Sequence, residues 1–380
     1  MSSIPMLDMK LQYAHMKSDI DAAIQTCLAH QLWILGPEVK ALEDSIARYS
    51  GASHAIGMSS GTEALLVAFR ALALARFGQE FFDKDQQIIT TAATFTATGD
   101  TILRAGATPA FVDIDPKTFC LDPAKVRAYL KSSPKVVGIV PVHLYGQCAD
   151  MDALLEIARE YKLFIVEDVA QGFGATWRGR VAGSMGDLGT YSFFPSKNLG
   201  GFGDGGMVVT SDSKLAEMSS MLIKHGGKDK YNVEFVGYNA RLDTLQAAII
   251  MARFKYLEDF NRRRKSLAKF YSEELGALTG IEVPQIDPRG EHVFHQYTIR
   301  VKGGRRDDLQ THLRNKGIQS MIYYPVALHR MKLFEGRAVV PFEMPHTAQM
   351  VKEVLSLPIE PLFSGSEERA VVAAVREFFA

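Results

Sequence analysis

The sequence predicts an α/β fold on a mostly parallel sheet covered by helices, with a smaller α+β unit at its C-terminal end. Between about Gly51 and Thr210, short apolar strands alternate with amphipathic helices. Those strands are continuous apolar runs rather than alternating ones, as expected when both faces of a sheet are covered. From Glu291 the regular alternation stops and isolated strands and helices follow. A large domain over 1–250, with an N-terminal helical arm, and a small C-terminal domain over 251–380 are the expected units of a 380-residue chain.

His54–Met58 reads as the first strand, and Gly61–Leu74 as a helix with Ala64, Leu65, Ala68 and Leu72 on one face. Ile88–Thr91, Pro109–Ile114, Val136–Val142 and Phe164–Val166 follow as buried strands, with helices at Ala97–Arg104, Pro123–Leu130 and Met151–Tyr161 between them. Gly206–Thr210 is a late strand, and a helix runs through Lys214–Ile223. Arg241–Arg264 reads as one long helix joining the two units. The small unit then offers a strand through His292–Val301, a helix near Asp307–Lys316, a strand at Gln319–Tyr324 and closing helices. Sheets of this kind bind ligands beyond the carboxyl ends of their strands.

Lys+Arg and Asp+Glu both total 43, so no global field favours nucleic acid or an anionic membrane. Cys27, Cys120 and Cys148 are widely spaced, with no CxxC pair and no metal-ligand spacing, which fits thiols in a reducing compartment. Met1–Lys17 lacks the apolar centre of a signal peptide, and no apolar run nears the roughly 18 residues of a membrane span. A soluble cytoplasmic protein without a metal is expected.

Gly201-Phe-Gly-Asp-Gly-Gly206 matches GxGxxG, but a strand follows it where a dinucleotide site needs a helix. The same glycines sit beside Lys197, between an apolar strand and a run of small residues. Apolar surroundings disfavour an ammonium and leave the neutral amine that attacks a carbonyl, and the glycines would leave room for a planar ring. Leu163–Val166 ends in Glu167 and Asp168, two acids at the carboxyl edge of a buried strand. A buried carboxylate needs a cationic partner, and a protonated pyridine nitrogen is one. Because side chains alternate across a strand, only one of the two acids can meet a ring on a given face. Ser59-Ser-Gly-Thr-Glu63 lies between a strand and a helix, where free amides suit a phosphate but where an ordinary N-cap would use the same residues.

Assembled in order, these segments resemble the DegT/DnrJ family of nucleotide-sugar aminotransferases, within the fold-type I enzymes that use pyridoxal phosphate. The resemblance runs from Leu35-Gly-Pro-Glu-Val39 through Ser59–Leu65, Gly106–Asp115, Val142–Gln147, Glu167–Gln171, the Lys197 segment, Gly237–Gln246 and Tyr323–His329 to Leu355–Pro358. It implies that Lys197 carries the cofactor as a Schiff base and then shuttles a proton. Asp168 pairs with the pyridine nitrogen, and Gln171 lies near the phenolic oxygen. Gly61, Thr62 and Ser192 hold the phosphate, and Phe95 stacks on the ring. Asn239 reaches the cofactor phosphate of a neighbouring copy, which implies a homodimer with shared sites. Arg241, Tyr323 and His329 are implied substrate contacts. The implied cycle takes an amino group from glutamate, passes through pyridoxamine phosphate, and delivers the amine to a nucleotide-linked keto-hexose. The run Tyr145–Asp150 is similar to members acting on 3-keto rather than 4-keto sugars. A branch with histidine in place of the lysine dehydrates its sugar, and other relatives were first described as regulators. A sugar dehydratase and a non-catalytic regulator are therefore the alternatives.

Overall fold

Residues 3–229 and 231–380 are described by the structure, a computed structural model. Helices α1 (Met9–His30) and α2 (Pro37–Ser50) lead into β1 (His54–Met58), α3 (Gly61–Leu72), β2 (Gln87–Thr91), α4 (Thr96–Arg104) and β3 (Thr108–Val112). Then come α5 (Pro123–Leu130), β4 (Val136–Ile139), α6 (Met151–Tyr161), β5 (Phe164–Asp168) and two short strands, β6 (Thr176–Trp177) and β7 (Arg180–Val181). They are followed by β8 (Leu188–Ser192), β9 (Gly206–Thr210), α7 (Ser213–Leu222), α8 (Thr244–Phe254) and α9 (Leu257–Leu275). The chain closes with β10 (Ile281–Glu282), β11 (Gly290–Glu291), β12 (Tyr297–Val301), α10 (Arg306–Asn315), α11 (Pro345–Glu353), β13 (Val354–Leu357) and α12 (Ser366–Phe379).

Seven strands form the main sheet in the order β1-β9-β8-β5-β4-β2-β3. Neighbours from β8 to β3 pair in parallel, and β9 runs antiparallel to both of its partners. The mostly parallel sheet is as expected. Burial on both faces explains the continuous apolar strands: Ile165 packs toward α2, α6 and α8, whereas Phe164 and Val166 pack toward α3 and α7. A second, antiparallel sheet, β10-β12-β13, is covered by α9, α10 and α12 around Tyr297, Ile299, Leu313 and Val375. Leu257 still belongs to the large core while Leu267 to Leu275 belong to the smaller one, so α9 spans the junction at which we propose the domain boundary near residue 250.

Three expected elements differ. Arg241–Arg264 is not one helix: Arg241 bridges Met58 in extended form, and the helical part breaks between α8 and α9. Both residues of the break are tied to Asp19 on α1, Lys255 by its ammonium (2.6 Å) and Tyr256 by its hydroxyl (2.5 Å), which turns the chain from one core to the other. The strand through His292–Val301 is interrupted, because Phe294 takes a left-handed φ of 48° and only Tyr297–Val301 joins the small sheet. Gln319–Tyr324 forms no strand; Met321 makes a single bridge to Ser356. Among the described residues no helix is long and apolar enough to cross a membrane.

Candidate active site

Strands β2, β4, β5 and β8 are parallel neighbours, so the segments that follow them gather on one edge of the sheet. Asp168 ends β5 on that edge and is 4% exposed. Its Oδ2 accepts the Thr98 hydroxyl (2.8 Å) from α4, and its Oδ1 accepts the Ala170 N–H (3.1 Å). No cation lies within ion-pair distance among the described residues. Burial raises the carboxyl above its ordinary value, against the opposing pull of Thr98, Ala170, Lys197 and His143. This is a site that stabilises an arriving cation.

The neighbouring acid does the opposite job on the opposite face. Glu167 accepts the Met185 (2.7 Å) and Gly186 (2.6 Å) N–H groups on one oxygen, and Gly183 N–H (2.8 Å) and His143 Nε2 (2.9 Å) on the other. Burial pushes its carboxyl up, but His143 and these amides outweigh that and hold it below the usual range. His143 Nδ1 accepts the Ala149 N–H (3.1 Å), which leaves its proton on Nε2, facing Glu167. Strand alternation thus separates the two acids, as the sequence implied.

Lys197 lies in the turn after β8, where its N–H donates to the Phe194 carbonyl (2.9 Å). The side chain is partly buried, with no hydrogen-bond partner for its amine among the described residues. Burial lowers its pKa to about 8, and the Asp168 charge only partly opposes this. The glycines that follow serve the chain's own path. A Cβ on Gly200 would stand 2.5 Å from the Pro195 carbonyl oxygen, so the turn closes only without one. Tight closure of the turn is thus one reason for glycine at this position.

The start of α3 abuts the end of β8. Ser60 caps the helix by accepting the Glu63 N–H (3.1 Å), while Gly61 lies so close to Ser192 that a Cβ would meet the serine's own Cβ at 2.6 Å. Gly61, Thr62 and Ser192 are therefore brought together at a helix N-terminus, as phosphate binding requires. The capping and the phosphate readings of this segment are compatible, because different residues serve them.

Phe95 precedes α4 with 54% of its surface exposed, and its ring lies 6.0 Å from that of Tyr324. Gln171 accepts the Tyr145 N–H (2.8 Å) and donates to the Tyr324 hydroxyl (2.9 Å), which leaves one amide hydrogen for a ligand. The Tyr323 carbonyl accepts the Tyr145 hydroxyl. His329 lies in the segment whose Leu328 N–H donates to the Ala92 carbonyl (2.9 Å), and its buried Nδ1 has no hydrogen-bond partner among the described residues. Asn239 is exposed and accepts from Arg241, whose buried Nε has no hydrogen-bond partner among the described residues. The Ser59 N–H donates to Ala240 (2.8 Å), so this pair flanks the α3 turn of its own chain. Thr98, Tyr324, His143 and Asn198 escaped the sequence reading. Only Asn198 carried a local signal, its place directly after the lysine.

Elsewhere, Cys27, His30 and Glu38 converge, but both His30 ring nitrogens are already engaged, by Glu38 (2.9 Å) and the Leu32 N–H (3.0 Å).

A profile of the DegT/DnrJ/EryC1/StrS aminotransferase family matches residues 14–376. The chain belongs to that family. It is 42% identical over 380 residues to a pleiotropic regulatory protein of Geobacillus stearothermophilus, covering 99% of each chain. It is 39% identical to a UDP-N-acetyl-3-dehydro-alpha-D-glucosamine 3-aminotransferase of Acidithiobacillus ferrooxidans, covering 99% of this chain and 98% of that one. Among solved structures, S. venezuelae DesV in complex with a ketimine intermediate superposes with a TM-score of 0.93 at 38% identity, over 100% of this chain and 99% of that one. The fold is accordingly that of the fold-type I enzymes, and the family's cofactor is pyridoxal phosphate. The residues fit it: a buried carboxylate short of a cation, a lysine of depressed pKa and a glycine-lined helix N-terminus share one edge of the sheet.

Proposed function

We propose that this aminotransferase moves an amino group from glutamate onto the 3-keto group of a nucleotide-linked hexose, supplying an amino sugar for glycan or metabolite assembly. The observation that carries the reading is a mutual electrostatic influence between Lys197 and Asp168, with the amine held near pKa 8 and the acid left short of positive charge. Bound pyridoxal phosphate supplies an electrophilic aldehyde carbon and an electron-withdrawing ring. Lys197 would hold that carbon when the cofactor is bound. Its freed Nζ then takes the proton from the donor's α-carbon, which a pKa near neutrality suits. Asp168 keeps the ring nitrogen protonated, and Thr98 fixes the carboxylate's orientation. Gly61, Thr62 and Ser192 would hold the phosphate, Phe95 would cover the ring, and Gln171 would offer its free amide hydrogen to the phenolic oxygen. We assign sugar contacts to Arg241, Tyr323 and His329; Arg241 and His329 each carry a buried nitrogen with no hydrogen-bond partner among the described residues.

The 3-keto preference draws support from the 3-aminotransferase relative and from the Tyr145–Asp150 run. The relative named as a regulator is the observation favouring the second reading, a regulatory role. An intact lysine and acid speak against it, because a regulator needs no electron sink. The test is incubation with glutamate and 3-keto or 4-keto nucleotide hexoses, with NMR locating the new amine. Equimolar 2-oxoglutarate and a 3-amino sugar are expected. Product without glutamate consumption would point to dehydration, and no turnover with either ketone to regulation.

A further inference from the structure

Asn198 follows the lysine directly and is 6% exposed. Its Nδ2 donates to Asn261 Oδ1 (2.7 Å) on α9 and to the Val293 carbonyl (3.2 Å). A carbonyl can only accept, so the amide's orientation is fixed, and both its hydrogens are used. Oδ1 is then left to face His295, whose Nδ1 is 3.1 Å away. An amide oxygen cannot donate, so His295 carries its proton on Nδ1. Asn261 extends the chain by donating to the Phe173 carbonyl (3.4 Å). The lysine-bearing turn is thus clamped to α9 and to the segment that enters the small sheet.

His295 is 5% exposed, and two cations face it, Lys197 from the turn and Arg264 from α9. Burial and these charges hold the imidazole well below its ordinary value. Arg264 is 2% exposed, and its Nε and Nη1 have no hydrogen-bond partner among the described residues. Glu360 is the acid that acts on it, while buried Arg253 adds a further positive charge nearby. A protonated imidazole has no place in that field.

We infer that His295, locked as the neutral Nδ1–H tautomer, is a positioning residue that orients Asn198 and thereby aims Lys197 at Asp168. The functional half of this inference rests on the reading of Lys197 as the cofactor lysine; the tautomer does not.

Nitrogen-15 NMR of histidine-labelled, cofactor-free protein tests the tautomer. A His295 signal with Nδ1 protonated and unchanged from about pH 5 to 8 is expected. A proton on Nε2, or titration within that range, overturns the inference. The consequence is tested by His295→Leu, which removes the donor, and His295→Asn, which keeps one at the Nδ1 position. The leucine variant should lose about ten- to a hundred-fold in kcat with KM little changed, and the asparagine variant should recover most of it. Asn198→Asp places a carboxylate beside the groups facing Lys197 (Asp168, His295 and, behind it, Arg264). It should raise the pH midpoint of Lys197 modification by an amine reagent, read by mass spectrometry on cofactor-free protein. Wild-type kcat in a folded leucine variant, or an unmoved midpoint in Asn198→Asp, overturns the positioning role. If the leucine variant does not fold, the NMR result and the Asn198→Asp midpoint decide. Lys197→Ala that retains the cofactor's visible band would instead sink the reading of the lysine, leaving the tautomer result intact.

Discussion

Asp168 ionises against its surroundings in the cofactor-free protein, since burial raises its carboxyl. A folded-state pKa above the unfolded value means the folded protein binds the extra proton. Stability contributed by this residue is therefore present at low pH and lost as pH rises from about 4 through the folded pKa. Asp168→Asn removes that loss. The cofactor-free variant should melt above wild type near neutral pH in calorimetry, with the gap closing toward about pH 3. The loaded variant should behave oppositely, losing roughly 100-fold or more in turnover because an amide cannot neutralise the ring nitrogen. Lys197 gives a second pH signature. Its pKa near 8 means that the rate of cofactor capture, followed by stopped flow, should rise with pH and level off above about 8. An ordinary exposed lysine would keep accelerating to about pH 10.

Strand β5 and the start of α3 are the elements that make the site, and each can be broken by one atom or one methyl group. Glu167 receives four donors, two on each oxygen, so Glu167→Gln would set an amide NH2 against two of them. We expect a loss of about 3–5 kcal/mol in urea unfolding, with Asp168 displaced as a secondary effect. Gly61→Ala would drive a methyl group into Ser192 at the base of the phosphate site. The protein should fold, yet fluorescence titration should show cofactor affinity lower by tenfold or more, about 1.4 kcal/mol. The same strand shows how far the sequence could be read. An apolar run ending in two acids announced both the strand and its exposed edge, and alternation announced that the acids part ways. Which acid is left without a cationic partner follows only from Thr98, 70 residues before Asp168, and from His143, which occupies Glu167. Lys197 was legible for the same local reason, an amine between apolar residues and a tight turn. The break between α8 and α9 was not, since the helical pattern continues on both sides and the tie that turns the chain is to Asp19, 236 residues from Lys255. His295 was illegible too, because nothing near it in sequence marks Asn198 as its partner.

At the scale of the molecule, the described chain leaves an apolar face that water does not favour. Leu32, Trp33, Ile34 and Leu35 are 40–55% exposed in succession. The Trp33 carbonyl accepts the Thr244 N–H (3.0 Å) and Ile34 bridges Asp243, so this face adjoins the segment that carries Asn239 and Arg241. We propose that a second copy covers it and that Asn239 completes the partner's phosphate site. Trp33→Asp should then yield monomers in analytical ultracentrifugation and weaken cofactor retention together with activity. Complementation distinguishes a shared site from mere association. Lys197→Ala and Asn239→Ala homodimers are each impaired, but subunit exchange unites an intact lysine with an intact asparagine in one of the two sites of every heterodimer. An equimolar, fully exchanged mixture should regain roughly a quarter of wild-type turnover, since half of the dimers are mixed and each holds one whole site. If the asparagine serves its own subunit, exchange separates nothing that the homodimers lacked. Activity would then stay at the average of the two parents, and the shared-site proposal would fall even with the dimer intact.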